Sequence, residues 1–166
     1  GFDVGIRVSF APAPHLVARK LAVNRSVLCA SPAYLERRGM PRRIEDLRKH
    51  QCVLFPAFAP KGVWTFRRDG RKYSVQVGGV FETDEMDAVR AAVVAGLGIS
   101  PLPVYMVADA LRQGQLIAML RKFQIVPESA IYLVYQPNRT LSSRVRALID
   151  FLAERFGPVP PWEAGW

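Results

Sequence analysis

ETDEMDAVRAAVVAGLGISPLP, residues 82–103, decides how the rest of the chain is read. Met86, Val89 and Val93 recur at helical spacing, so one apolar stripe turns toward a core. Thr83 is placed to cap that helix, and Asp84, Glu85 and Asp87 put negative charge where the helix dipole is positive. Gly96 tolerates a left-handed exit. After Gly98, residues 99–102 read as a short buried strand, and Pro103 suits the first turn of a further helix. Helix, glycine turn, buried strand and helix in this order are the grammar of an α/β sheet.

On the N-terminal side, residues 3–8 alternate with Val4, Ile6 and Val8 on one side and read as a strand. A loop follows over 9–14, then strands over 16–21 and 25–30 with a break near Asn24. Ser31 can cap and Pro32 can open a short helix over 33–38, ended by Gly39. A second short helix is expected around Ile44, Leu47 and Arg48. Residues 52–55 form a buried strand that runs into Pro56-Ala57-Phe58-Ala59-Pro60. Residues 63–67 and 72–77 flank Arg68-Asp69-Gly70-Arg71, where the Asp-Gly pair signals a hairpin.

On the C-terminal side, a helix ends near 111–114, residues 116–120 are extended, and 131–135 form another buried strand. Pro137-Asn138-Arg139 marks a turn. Ser142 or Ser143 caps a final helix with Val145, Leu148, Ile149, Leu152 and Phe156 on one face, stopped at Gly157-Pro158. The tail, 159–166, is either a docked strap or frayed.

The chain has 166 residues, half of them hydrophobic, enough for one ordinary domain or two small lobes with a real core. No apolar run approaches the roughly 20 residues of a membrane-spanning helix, and no secretory signal pattern opens the chain. The formal net charge is +9. Attraction to nucleic acid or an acidic ligand is one reading of it; a solvated basic surface is the other. Arg37, Arg38, Arg42, Arg43, Arg67, Arg68, Arg71 and Lys72 are scattered with no continuous stripe on one helix, which favours the second.

Cys29 and Cys52 lack any C-x-x-C spacing, so zinc and thioredoxin-like chemistry are poorly supported. Cys29, in the run Val27-Leu28-Cys29-Ala30, behaves as a small buried hydrophobe. His15 and His50 read as surface or capping histidines rather than bases. No G-x-S-x-G, P-loop, dinucleotide or metal motif is present, and Gly96-x-Gly98 follows a helix rather than a strand, the wrong context for nucleotide binding. No cofactor is expected.

Several segments together resemble the ligand-sensing domain of LysR-type transcriptional regulators, in that family's order. Ala91, Ala92, Ala95, Gly96, Gly98, Ile99 and Pro103 resemble its A-A-x-A-G-x-G-I helix end and following strand. Phe2-Asp3-Val4-Gly5-Ile6-Arg7 resembles F-D-V-A-I-R. Leu28 to Leu35 resembles L-C-A-S-P-A-Y-L closely. Asp46-Leu47-x-x-His50-x-Cys52, Trp64-x-Phe66 and Tyr135-x-Pro137-x-Arg139-x-Leu141-Ser142 follow, with Phe151-Leu152 near the end. The likeness spans residues 1 to about 156.

The resemblance implies an α/β, type 2 periplasmic-binding-protein-like bilobal fold with one lobe incomplete. Residues 1–23 with 129–156 would be part of lobe I, 24–128 lobe II, and 157–166 a C-terminal tail. It implies an effector-sensing and dimerising domain of a bacterial, cytoplasmic transcription regulator, forming a homo-oligomer in the intact protein. DNA would be bound only through an N-terminal domain that these residues do not contain. A small-molecule effector, a small organic acid or similar metabolite, would sit in the interlobe cleft. Strand ends and helix starts nominate Arg7, Ser9, Phe10, Ser31, Pro56, Ala57, Phe58, Glu82 and Thr83 as its contacts. A solute-binding protein of the same bilobal fold is the alternative, and an enzyme on that scaffold a third reading.

Overall fold

A computed structural model describes residues 3–137, 142–157 and 159–164. The expectations that fall on Phe2, Asn138, Arg139, Leu141, Pro158 and Trp166 lie outside the described residues. In chain order the elements are β1 (Gly5–Ser9), β2 (Val17–Asn24), β3 (Ser26–Ala30), α1 (Pro32–Arg38), a 3-10 helix (Ile44–Lys49), β4 (Gln51–Leu54), a short 3-10 turn (Pro60–Gly62), β5 (Val63–Arg68) and β6 (Arg71–Gln76). Then come β7 (Gly78–Glu82), α2 (Met86–Val94), β8 (Ser100–Pro103), α3 (Val104–Arg112), β9 (Ile117–Met119), β10 (Gln124–Val126), β11 (Ser129–Tyr135), α4 (Ser143–Phe156) and a 3-10 turn (Pro161–Glu163). The chain forms two compact units, one from residues 1–25 and 128–165, the other from 26–127.

In the first unit β11 runs antiparallel between β1 and β2. Alternate residues of β11, Ile131 and Leu133, join Leu21 and meet Ile149 of α4 in a small core, with Val145, Leu152 and Phe156 packed against it. Ser142 caps α4, its hydroxyl accepting the Val145 N–H at 3.3 Å. Leu148 was expected on the buried face but is 45% exposed, because α4 touches the sheet along a narrower stripe than the sequence pattern offers. The tail docks as a strap over its described residues, 159–164. Trp162 sits edge-on to Phe156 with ring centres 5.3 Å apart, and Glu163, nearly covered, pairs with Arg25 at 3.5 Å.

The second unit holds the larger core. β4 and β7 are parallel, with Leu54 opposite Glu82, while β3 runs antiparallel between β8 and β9. A parallel bridge between Cys52 and Ile99 joins the two groups, so the strands run in the order β7-β4-β8-β3-β9. A separate antiparallel sheet, β10-β5-β6, lays Trp64, Phe66, Val75 and Ile125 against Leu28, Tyr34, Leu47, Leu54, Ile99 and Met119. The Asp-Gly hairpin between β5 and β6 forms as expected, with Asp69 and Gly70 both at positive φ (50° and 74°). The strand β10 has no counterpart in the sequence reading, because three residues are too few to show a period.

In the deciding stretch, Val89, Ala92 and Val93 of α2 are buried and Gly96 leaves the helix at φ 82°. Gly98 is required for a different reason. A Cβ there would lie 2.5 Å from the Gln51 carbonyl oxygen, because Ile99 N–H donates to that same carbonyl at 2.9 Å and draws the two backbones together. Two expectations are corrected. Thr83 is not the helix cap: α2 starts at Met86 with Glu85 at the cap position, and the Thr83 hydroxyl instead accepts the Glu85 N–H at 3.1 Å in a tight turn. Pro103 completes β8, and α3 begins one residue later at Val104.

Candidate functional site

The parallel register of β4 and β7 ends both strands at the same level, Leu54 against Glu82. The chain leaving β4 makes a stiff turn, in which Phe58 N–H and Ala59 N–H both donate to the Phe55 carbonyl at 3.0 and 3.1 Å. Beside it, Thr83 N–H donates to the Leu54 carbonyl at 3.2 Å and carries the chain out of β7. Pro56, Ala57, Phe58, Glu82 and Thr83 therefore gather at the carboxyl ends of two neighbouring parallel strands, the place where open α/β sheets bind ligands. Phe58 is half-buried against the core, while Ala57 and Glu82 are exposed.

β8 runs parallel to β4, so its carboxyl end points the same way and delivers the start of α3 to this end of the sheet. Tyr105 lies in the first turn of α3 and was not nominated from sequence. Its phenol is pushed up, first by burial and then by the negative charge of Asp87 in α2, so these two helix starts are electrostatic neighbours. A hydrophobic helical pattern gives no sign of which end of the sheet a tyrosine will occupy; the direction of the preceding strand decides it. Glu82, Asp84, Glu85 and Asp87 make this end acidic.

Ser31 does not join the group. β3 runs against β4 and β8, with Cys29 opposite Ser100, so its carboxyl end lies at the amino ends of its neighbours. Ser31 is buried there, and its hydroxyl accepts the Tyr34 N–H at 3.3 Å as the cap of α1. Sequence reasoning nominated it as a helix start without knowing the strand direction.

Arg7 and Ser9 belong to the first unit. They line a recess of about 310 Å³ with Pro12, Pro14, Tyr132 and Val134. The Ser9 hydroxyl is turned back on its own loop, donating to the Ala11 carbonyl at 2.6 Å. Arg7 faces Tyr132 across the ladder and has no ion-pair partner among the described residues. Phe10 follows the end of β1 and is half-exposed.

Among the described residues no three His, Cys, Asp or Glu side chains converge on a point that could hold a metal. Both cysteines are free and fully buried, and burial pushes each thiol up to about 12. No described helix is long and apolar enough to cross a membrane.

Residues 1–157 match the LysR substrate binding domain family. The chain belongs to that family. Among similar LysR relatives, the probable HTH-type transcriptional regulator LtrA of Klebsiella pneumoniae is 31% identical over 167 residues, covering 99% of this chain and 53% of that protein. The HTH-type transcriptional regulator DmlR of Escherichia coli K12 is 30% identical over 157 residues, covering 94% and 50%. This LysR chain thus spans about half the length of the curated relatives it matches. Among solved structures, the regulatory domain of CrgA, a LysR-type regulator from Neisseria meningitidis, superposes with a TM-score of 0.78 at 26% identity, covering 93% of this chain and 76% of that one. The regulatory domain of AphB from Vibrio vulnificus gives 0.73 at 30% identity, covering 92% and 74%. The fold is the type 2 periplasmic-binding-protein-like α/β fold, and the domain is a LysR effector-binding domain. With transcriptional regulators as relatives, the solute-binding-protein alternative is not favoured.

Proposed function

We propose that this chain is the effector-sensing and dimerising part of a cytoplasmic, homo-oligomeric bacterial transcription regulator, without catalytic activity of its own. The two units correspond to the two lobes of the family fold. Specific operator binding belongs to a helix-turn-helix outside residues 1–166.

The observation that carries the site assignment is the Leu54–Glu82 register, which supports a ligand-contacting surface made of Pro56, Ala57, Phe58, Glu82 and Thr83. We add Tyr105 to it and leave Ser31 out. Arg7, Ser9 and Phe10 remain proposed effector contacts within the first unit taken by itself. The effector is a small organic acid or similar polar metabolite, with an apolar body against Phe58 and polar groups at the starts of α2 and α3. The four carboxylates between Glu82 and Asp87 set a condition on that class. A negatively charged effector needs a cation to offset them.

The test is a transcriptional reporter driven by the full-length regulator, challenged with a panel of acidic, neutral and cationic metabolites. Phe58→Ala and Thr83→Ala should each weaken the effector response while leaving operator occupancy intact. Wild-type dose–response curves from both variants would remove this surface from the effector site.

A further inference from the structure

Cations that lie apart in the sequence converge at one end of the β10-β5-β6 sheet. The antiparallel register sets Arg67 directly opposite Lys72, and Arg68 directly opposite Arg71. β10 enters the sheet at Gln124, the register partner of Arg67, so the turn before it brings Arg121 and Lys122 to the same end. All six side chains are exposed. Asp69, at the hairpin tip, lies 3.2 Å from Arg68.

The cluster is held in place. The Arg68 guanidinium lies over the Phe123 ring at 5.5 Å, and Phe123 is itself edge-on to Tyr73 at 5.4 Å. Arg67 donates from Nε and Nη2 to Gln124 Oε1 at 2.9 and 2.7 Å. Arg71, Lys72 and Lys122 have no counter-ion among the described residues. Like charges placed directly across an antiparallel pair destabilise it, and this hairpin carries that penalty at two successive rungs. The other basic stretch, residues 36–49, differs: there Glu36, Glu45 and Asp46 are interleaved with the cations.

We propose that this basic hairpin end contacts the phosphate backbone of duplex DNA without reading its sequence. Fixed cations on a rigid sheet suit a regularly spaced polyanion. Duplex DNA is favoured over an acidic peptide because the relatives of this chain are HTH-type transcriptional regulators, which work on DNA. The arginines that look scattered in the sequence are thus partly gathered by strand pairing. The inference stands apart from the effector site, and its failure would leave that site untouched.

The test measures fluorescence anisotropy of a labelled, random-sequence duplex of roughly 20 base pairs against the 166-residue chain over a salt series. The variant R71E/K72E/K122E should bind at least about tenfold more weakly at low salt, and its log–log salt slope should be shallower by about 3, near one unit per lost phosphate contact. The control R144E/R146E/R155E, on α4 of the first unit, makes the same change in net charge and should stay within about twofold of wild type, since diffuse charge alone supplies only weak steering. Unfolding does not confound the result, because the reversals at 71 and 72 face Arg68 and Arg67 with opposite charge, so Tm should hold or rise. Wild-type affinity in the hairpin variant would overturn the proposal, as would an equal loss in the control. Tighter binding to polyglutamate than to the duplex would overturn it in favour of an acidic protein partner.

Discussion

The Tyr34 hydroxyl lies 3.0 Å from His50 Nδ1 and also accepts the Gln51 N–H at 2.9 Å, so one buried tyrosine ties α1 to the first residue of β4. Its single proton has two acceptors within reach, the imidazole and the Gln51 carbonyl at 3.4 Å. Donation to the imidazole needs an unprotonated Nδ1. Burial, the largest influence, lowers the His50 pKa below its ordinary value; Asp46 opposes the shift and Arg38 adds to it.

The pH dependence follows from that direction. A histidine whose folded pKa is depressed is neutral in both states above about pH 6.5, so it costs nothing there. As pH falls below that value the unfolded chain takes up the proton first, and stability is lost. Tm should therefore drop between pH 7 and pH 5, and His50→Gln should reduce the drop. An unchanged pH profile in that variant would sink the assignment. Tyr34→Phe should cost about 1–3 kcal/mol at pH 7 by leaving the Gln51 N–H without its acceptor, measured by denaturant unfolding.

Gly98→Ala should destabilise the second unit by about 3 kcal/mol, the upper end for steric insertion, because the clashing partner is the Gln51 carbonyl rather than a yielding side chain. Gly39→Ala is the contrast. Nothing lies within 4 Å of the added carbon, and the strain comes only from φ 79°, so the loss should be about 1 kcal/mol. Equal losses at the two positions, read from urea midpoints, would refute the close-approach argument.

Cys29 and Cys52 should neither bond to each other nor react quickly. They lie on strands either side of β8, opposite Ser100 and Ile99, so two strand spacings of about 4.8 Å separate them, beyond disulfide reach. Each thiol is held protonated by burial, with a pKa of about 12. Labelling of the native chain at neutral pH should be slower than that of the urea-unfolded chain by at least about a hundredfold, tracking transient opening. Comparable native and unfolded rates would contradict the buried placement.

Phe58→Ala should separate stability from sensing. Phe58 is half-buried on the core, so its truncation should cost about 2 kcal/mol, less than for a fully buried phenylalanine. Thr83→Ala removes only the turn bond to Glu85 N–H, about 1 kcal/mol. If the surface senses effector, both variants lose response in the full-length regulator, in a ratio unrelated to their Tm shifts.

Local chemistry alone determined much of this protein. Ser31-Pro32 opens α1, Asp69-Gly70 turns the hairpin, Ser142 caps α4, and Gly96 ends the α2 segment, because each depends only on a residue's own backbone preference and its near neighbours. The segments that resemble the LysR family run the length of the chain for the same reason: they are short local patterns. Strand direction and register were not legible, since they depend on partners distant in sequence. The parallel pairing of β4 with β7 puts Pro56 to Phe58 beside Thr83, and the antiparallel run of β3 sends Ser31 to the other end of the sheet. The same pairing decided that Tyr105 starts α3 at the end of the sheet where Glu82 and Thr83 lie, and that Arg67, Arg68, Arg71 and Lys72 meet Arg121 and Lys122. A side chain's chemistry is written in its own residue, but its neighbours are set by backbone hydrogen bonds between strands that only the folded chain brings together.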